Sequence, residues 1–240
     1  WMSRIVIPLL AILSFKNKNP LLFLISISSL IIFYGISSEK SFLIISAFGI
    51  FSSIIFSRYN SLSIFPFSLI FLILFCVIIY SFLDMSYFPS MVIRRSLFMP
   101  SRMIFYYFNY FDNHQFTYWS QNLIGNLFSK FPYDVSVGRL INQAIFLKDA
   151  GSANCSFFGT AFMHAGIYGS IFYGIILGIY FSYLDHFADL NKNLSLVLAS
   201  TSVPLIVVIT STDLTTGILT HGLFLSVLLL PLIPKERTNL

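Results

Sequence analysis

Charge is what this chain has least of: Asp, Glu, Lys and Arg make up only 10% of its 240 residues. A soluble domain devotes about a quarter of its residues to these types, so this composition does not furnish a water-facing surface. Cysteine is almost as scarce. Cys76 lies in an apolar run and Cys155 beside a polar segment, which argues against a disulfide, and their separation is not that of a metal site. No Asp-x-Asp, His-Glu-x-x-His or Cys-x-x-Cys occurs. A divalent metal holding a sugar nucleotide and zinc-dependent hydrolysis are therefore unsupported. The absence of a glycine-rich phosphate loop argues against ATP-driven chemistry. No secretory leader pattern follows the opening Trp1-Met2.

What the chain has is apolar length. Hydrophobic residues make up 57% of it, and the mean hydropathy is +0.84. A spanning helix needs roughly 20 mostly apolar residues. The runs 21–36, 42–56, 65–83, 157–184, 194–211 and 216–232 approach or exceed that length. A shorter run, 5–15, reads as the tail of a helix whose beginning is missing, so the chain is expected to be a fragment. The expected fold class is all-α: a polytopic integral membrane protein with about six to seven transmembrane helices and one large, partly helical extracytoplasmic loop. Segments 1–83 and 157–240 would hold the helices, and 84–156 the loop. Pro204 predicts a kink inside its span. Gly159, Gly166, Gly169, Gly174 and Gly178 suggest a small-residue seam for close helix packing.

In such a protein the formal net charge of +5 is not a nucleic-acid footprint, because Lys and Arg mostly set orientation. Alternating the spans puts Lys16, Lys18, Arg58, the 185–192 turn, Lys235 and Arg237 on one face. Glu39, Lys40, the long insert and the turn at Asp213 fall on the other. Positive residues in short loops favour the cytoplasm, so the insert is expected outside.

Loops as long as 84–156 are seldom mere connectors. Pro100 suits the first turn of a helix running through Phe111. Arg102, Phe105, Tyr106 and Asn109 would share one face of it. Arg102 would sit where free amides and the helix dipole favour anions, with Arg95 converging across the proline bend. Forked guanidinium donors match phosphate oxygens, so Arg94, Arg95, Arg102 and Arg139 are candidate pyrophosphate ligands. Arg94 and Arg95 would alternatively snorkel to lipid headgroups near the membrane surface. Tyr106, Tyr107, Tyr110, Tyr118 and Trp119 could stack on sugars, or form an interfacial aromatic belt. Asp112 and His114 are candidate general bases, or simply polar residues at a helix end. His164 and His221 lie in or beside spans, where ionisable groups are expensive.

The run Arg94-Arg95-Ser96-Leu97-Phe98-Met99-Pro100, followed by 106–111 (YYFNYF) and 116–120 (FTYWS), resembles the bacterial oligosaccharide repeat-unit polymerases, the Wzy-type O-antigen and capsule polymerases. Asn142, Asn154 and the run 160–169 (TAFMHAGIYG) are similar to the family's stretch entering its next span, with His164 where Asn is more usual. The likeness covers mainly 94–178.

The resemblance implies a membrane glycosyltransferase that polymerises undecaprenyl-pyrophosphate-linked oligosaccharides into O-antigen or capsule polysaccharide. It implies catalytic roles for Arg95, Arg102, Asp112 and His114. Arg94, Tyr106, Tyr107, Asn109, Tyr118, Trp119, Arg139, Asn154 and His164 would bind substrate. No cofactor and no metal are implied, since the donor carries its own leaving group. The implied partners are the lipid-linked glycans, the bilayer and a chain-length regulator. The implied location is the bacterial inner membrane, with the loop on the periplasmic side. Two other readings remain open: a flippase or transporter for lipid-linked sugars, and an O-antigen ligase-like enzyme. A purely structural membrane subunit would leave the arginine-rich insert unexplained.

Overall fold

A computed structural model describes residues 2–37, 40–59, 64–121, 125–127, 129–191 and 194–232. Helices dominate, and no strand occurs among the described residues. Glu39, Lys192, Lys235 and Arg237 lie outside the described residues. Among the described residues, two helices are long and apolar enough to cross a membrane: 157–188 within a longer helix, and Leu194–Ser211. The remaining apolar stretches, among them 20–36, 46–58 and 69–83, are shorter. The chain divides into two units, one of 1–60, 175–207 and 215–240, the other of 61–174 and 208–214.

The first unit contains α1 (Ile7–Lys16), α2 (Pro20–Ser37) and α3 (Lys40–Tyr59). With them are the C-terminal part of α8 (Phe157–Asn191), most of α9 (Leu194–Ser211), and α11 (Leu223–Leu229). Ile7, Ile12, Leu30, Ile50, Leu184, Leu196 and Leu230 form its core. Serines survive in these apolar helices by returning their hydroxyls to the carbonyl one turn back, as Ser14 does to Leu10, Ser26 to Leu22 and Ser53 to Gly49. The run 216–232, expected as one span, is broken. α10 (Leu214–Leu219) stops at a turn over 220–222, and Gly222 takes φ +102 before α11 begins. A left-handed residue cannot continue a right-handed helix.

The second unit is built on α4 (Ile64–Leu83), the short α5 (Tyr87–Pro89), α6 (Met99–Phe111), α7 (Val137–Phe146) and the start of α8. α4 turns Phe67, Phe71 and Phe82 outward, each more than two-thirds exposed. So apolar an outer face suits lipid better than water. Met103, Tyr107, Phe111, Val137, Ile141, Cys155 and Met163 form the core. α6 starts at Met99 with Pro100 in its first turn, as expected, and ends at Phe111; what the proline did not announce is the helical structure ahead of it. Helical structure runs on from Tyr87, and 90–98 are wound as a π-helix in which the Met99 amide bonds Arg94 O. Proline has no amide to give its fourth predecessor, and wider winding is one way for a helix to pass it.

Candidate functional site

Three of the insert's four arginines, Arg94, Arg95 and Arg102, lie on this helical stretch, and all three are exposed. The Arg102 guanidinium stands over the Tyr106 ring, 5.1 Å from its centroid. That is cation–π distance, and it orders the head group without neutralising it. Tyr106 in turn meets Phe146 of α7 edge-on at 5.6 Å. Asn109 is exposed one turn further along. Tyr107 faces the other way. It is 2% exposed, and its hydroxyl donates to Ala153 O at 2.9 Å. Burial, with the charges of Cys155 and Asp213 behind it, pushes its phenol well above the usual range. Tyr107 therefore tethers the 153–155 segment to α6 and is out of reach of a substrate.

At the end of α6, Asp112 and His114 are exposed. The His114 ring lies flat on Tyr110 at 3.9 Å, and its Nδ1 is 2.7 Å from Tyr110 O. A carbonyl only accepts, so Nδ1 carries the proton and a neutral ring has its lone pair on Nε2. Arg139 and Asn154 are exposed near α7, with Asn154 Oδ1 accepting from Ser152 at 2.7 Å. Asn142 is buried and donates to Lys148 O and Ala150 O, which shapes the turn after α7.

A second cluster forms where α8 breaks. Ala165 and Gly166 leave helical geometry, Gly166 at φ +59, ψ −138. The break frees the carbonyls of Met163 and His164 from helical partners, and the amides of Thr117 and Tyr118 take them, each at 3.0 Å. His164, 1% exposed, is held on every side. Its Nδ1 lies 2.8 Å from Thr117 Oγ1 and accepts the Trp119 amide at 3.1 Å. A backbone amide only donates, so Nδ1 must bear the lone pair and Nε2 the proton. Nε2 points at Asp213 Oδ1, 3.3 Å away. Tyr173 donates to the same oxygen at 2.9 Å and accepts the Trp119 indole N–H at 2.9 Å. The indole lies over His164 at 4.9 Å, nearly parallel. Tyr118 and Trp119 both take positive φ, +47 and +60. Backbone of this kind costs about 1–3 kcal/mol per residue and persists only where its surroundings over-determine it.

The structure thus groups Arg94, Arg95, Arg102, Tyr106 and Asn109 on one helical stretch, and Tyr118, Trp119 and His164 at the break in α8. Aromatic contacts join the groups: Phe108 and Phe116 both meet Phe162, at 4.6 and 6.1 Å. Arg139 lies on α7, and Asn154 in the segment that follows it. Sequence reasoning missed Asp213, Tyr173 and Thr117. Asp213 carried a signal, being an acid at the edge of an apolar run. The expected glycine seam is shorter than five. A side chain at Gly159 or Gly169 would strike its neighbours, whereas Gly174 and Gly178 have nothing within 4 Å. No group of three or more His, Cys, Asp or Glu that could hold a metal occurs among the described residues. Comparison with family models, curated proteins and solved structures finds no match.

Proposed function

We propose that this chain is a polytopic inner-membrane glycosyltransferase with about six to seven spans that polymerises lipid-pyrophosphate-linked oligosaccharide repeat units. One observation carries the reading. Three exposed guanidiniums, those of Arg94, Arg95 and Arg102, stand on one continuous helical stretch, with Arg102 held over Tyr106 in an aromatic-rich surround. Forked cations suit diphosphate oxygens, and aromatic faces suit sugar rings. The outward phenylalanines of α4 and the two long apolar helices support a bilayer setting.

In the reaction, a sugar hydroxyl of one repeat unit attacks C1 of the sugar that ends the growing chain. The C1–O bond to the carrier breaks, and the pyrophosphate leaves with the electron pair. Negative charge grows on that leaving group, so preorganised cations stabilise the transition state more than the ground state. Arg95 and Arg102 fill this role, and Tyr118 and Trp119 offer the sugar platform. The insert faces the periplasm in this reading. Lys16, Lys18 and Arg58, in short connections, mark the cytoplasmic side.

The test is glycan laddering in a deletion strain carrying wild-type chain, Arg95→Ala or Arg102→Ala, with membrane levels of the protein measured alongside. Each variant is expected to reduce laddering at least about 100-fold, the scale of losing one transition-state charge donor. Wild-type ladders from both variants would remove the arginines from the mechanism. A wild-type chain that restores only attachment of single units to lipid A would point to the ligase-like reading.

A further inference from the structure

Resting on that reading, we infer that Asp213 is the general base that takes the proton from the acceptor hydroxyl. It lies 49 residues beyond His164, in the short turn between α9 and α10, outside the insert that carries the arginines.

The geometry is that of an oriented carboxylate. Oδ1 accepts from Tyr173 at 2.9 Å and faces the His164 Nε2–H at 3.3 Å. The His164 proton cannot move to the other nitrogen, because the Trp119 amide donates to Nδ1 at 3.1 Å. Asp213 therefore faces a permanent donor on its histidine, and the two donors fix its orientation. His164 is 1% exposed and Asp213 13%, so the histidine is sealed while the carboxylate stays within reach. Tyr173 links the same oxygen to the Trp119 indole, which places a sugar-sized aromatic surface beside it. Tyr118, 50% exposed, follows on the same strained turn.

The step balances. The acceptor O–H gives its proton to the Asp213 carboxylate as its oxygen bonds C1 of the donor sugar, and the C1–O bond to the pyrophosphate breaks with both electrons leaving on phosphate. Carboxylates do the same work for water in inverting glycosidases, with no metal required. Asp112 and His114 lie exposed at the end of α6, and the contacts that hold His114 are to Tyr110 of its own helix, not to the His164–Tyr173–Trp119 cluster. His164 is a positioning residue: its lone pair is engaged by Trp119, so it orients the base and takes no proton.

Asp213→Asn separates catalysis from positioning. An amide oxygen at Oδ1 still accepts from both Tyr173 and His164, so these two bonds survive while the basicity is lost. The assay is polymerisation of lipid-linked repeat units by purified protein in detergent, with Arg102→Ala and wild type in parallel. Asp213→Asn is expected to lower the rate by about 100- to 10,000-fold, the range for a general base. A rate within threefold of wild type overturns the assignment. Asp213→Cys supplies the second arm. Alkylation with iodoacetate restores a carboxylate, and iodoacetamide adds a neutral amide of similar size. Native Cys76 and Cys155 are both buried, and Cys155 has its thiol pushed up to about 12, so the new thiol reacts first. Rate recovery with iodoacetate alone supports the base; equal recovery or none with both reagents overturns it. Failure of this inference alone leaves Arg102→Ala inactive and wild type active. A wild-type protein without polymerising activity sinks the underlying reading.

Discussion

Replacing Gly166 by Ala is expected to damage the fold and the site together, while Gly174→Ala on the same helix is expected to do neither. Gly166 adopts φ +59, ψ −138, a region essentially closed to residues with a Cβ. Strain of that kind costs about 1–3 kcal/mol. The added methyl would also lie 3.0 Å from Phe116 Cζ. Phe116 has little room to retreat, since its ring meets Tyr118 and Phe162 edge-on at 6.2 and 6.1 Å. Overpacking of this sort adds about 1–3 kcal/mol, for a total of about 2–6 kcal/mol. At Gly174 nothing lies within 4 Å, so alanine gains helix propensity of up to about 1 kcal/mol there. For a chain of this size each kcal/mol moves the melting midpoint by about 2–4 °C, so Gly166→Ala should melt about 4–24 °C below wild type. Thermal unfolding in detergent, followed by tryptophan fluorescence, measures this at the site itself. Trp119 reports the break in α8, because the carbonyls freed there hold the segment that carries it. Equal midpoints for the two variants, or Gly166→Ala matching wild type, would refute the claim that the break is required.

Two further expectations follow from burial. Cys155 is 2% exposed, and loss of solvent pushes its thiol from its ordinary 9.0 up to about 12, despite hydrogen bonds from Ser156 and Gly159 that act the other way. The folded state therefore favours the neutral thiol. Its contribution to stability is complete below pH 9 and is lost as pH rises towards about 12. Maleimide labelling at pH 8 should leave Cys155 unmodified in folded protein and label it after denaturation, and equal labelling of both would contradict its burial. Tyr107→Phe removes a buried hydroxyl that bonds Ala153 O. It should cost about 1–3 kcal/mol in urea or thermal unfolding, with glycan laddering intact wherever the protein accumulates. Lost laddering at normal protein levels would return Tyr107 to the substrate surface. The arginine and Asp213 substitutions complete the set.

Some of this was legible locally. The apolar runs had to become helices, because only a helix satisfies every backbone group within its own segment when its surroundings are apolar. Charges are expensive to bury, so Arg94, Arg95 and Arg102 had to stay outside the core. Spacing already put Tyr106 and Asn109 beside Arg102 and left Tyr107 off that face. Pro100 correctly marked the first turn of α6, but not the helical structure that precedes it. It marks a change of winding, since helical structure arrives from Tyr87 and continues through it.

The rest depended on contacts that no spacing encodes. His164 meets Asp213 across 49 residues, and Trp119 meets Tyr173 across 54. The sequence shows a histidine in an apolar run, but its tautomer is set by an amide arriving from another segment. Whether α8 runs straight or breaks turned on the ability of Gly166 to enter left-handed space and on the Thr117–Tyr118 amides waiting for the released carbonyls. Composition and periodicity determine which residues avoid water and which helices they form. Which distant groups then share a proton or a carbonyl is decided only when the helices pack, because a hydrogen bond depends on distance and angle in space and not on position along the chain.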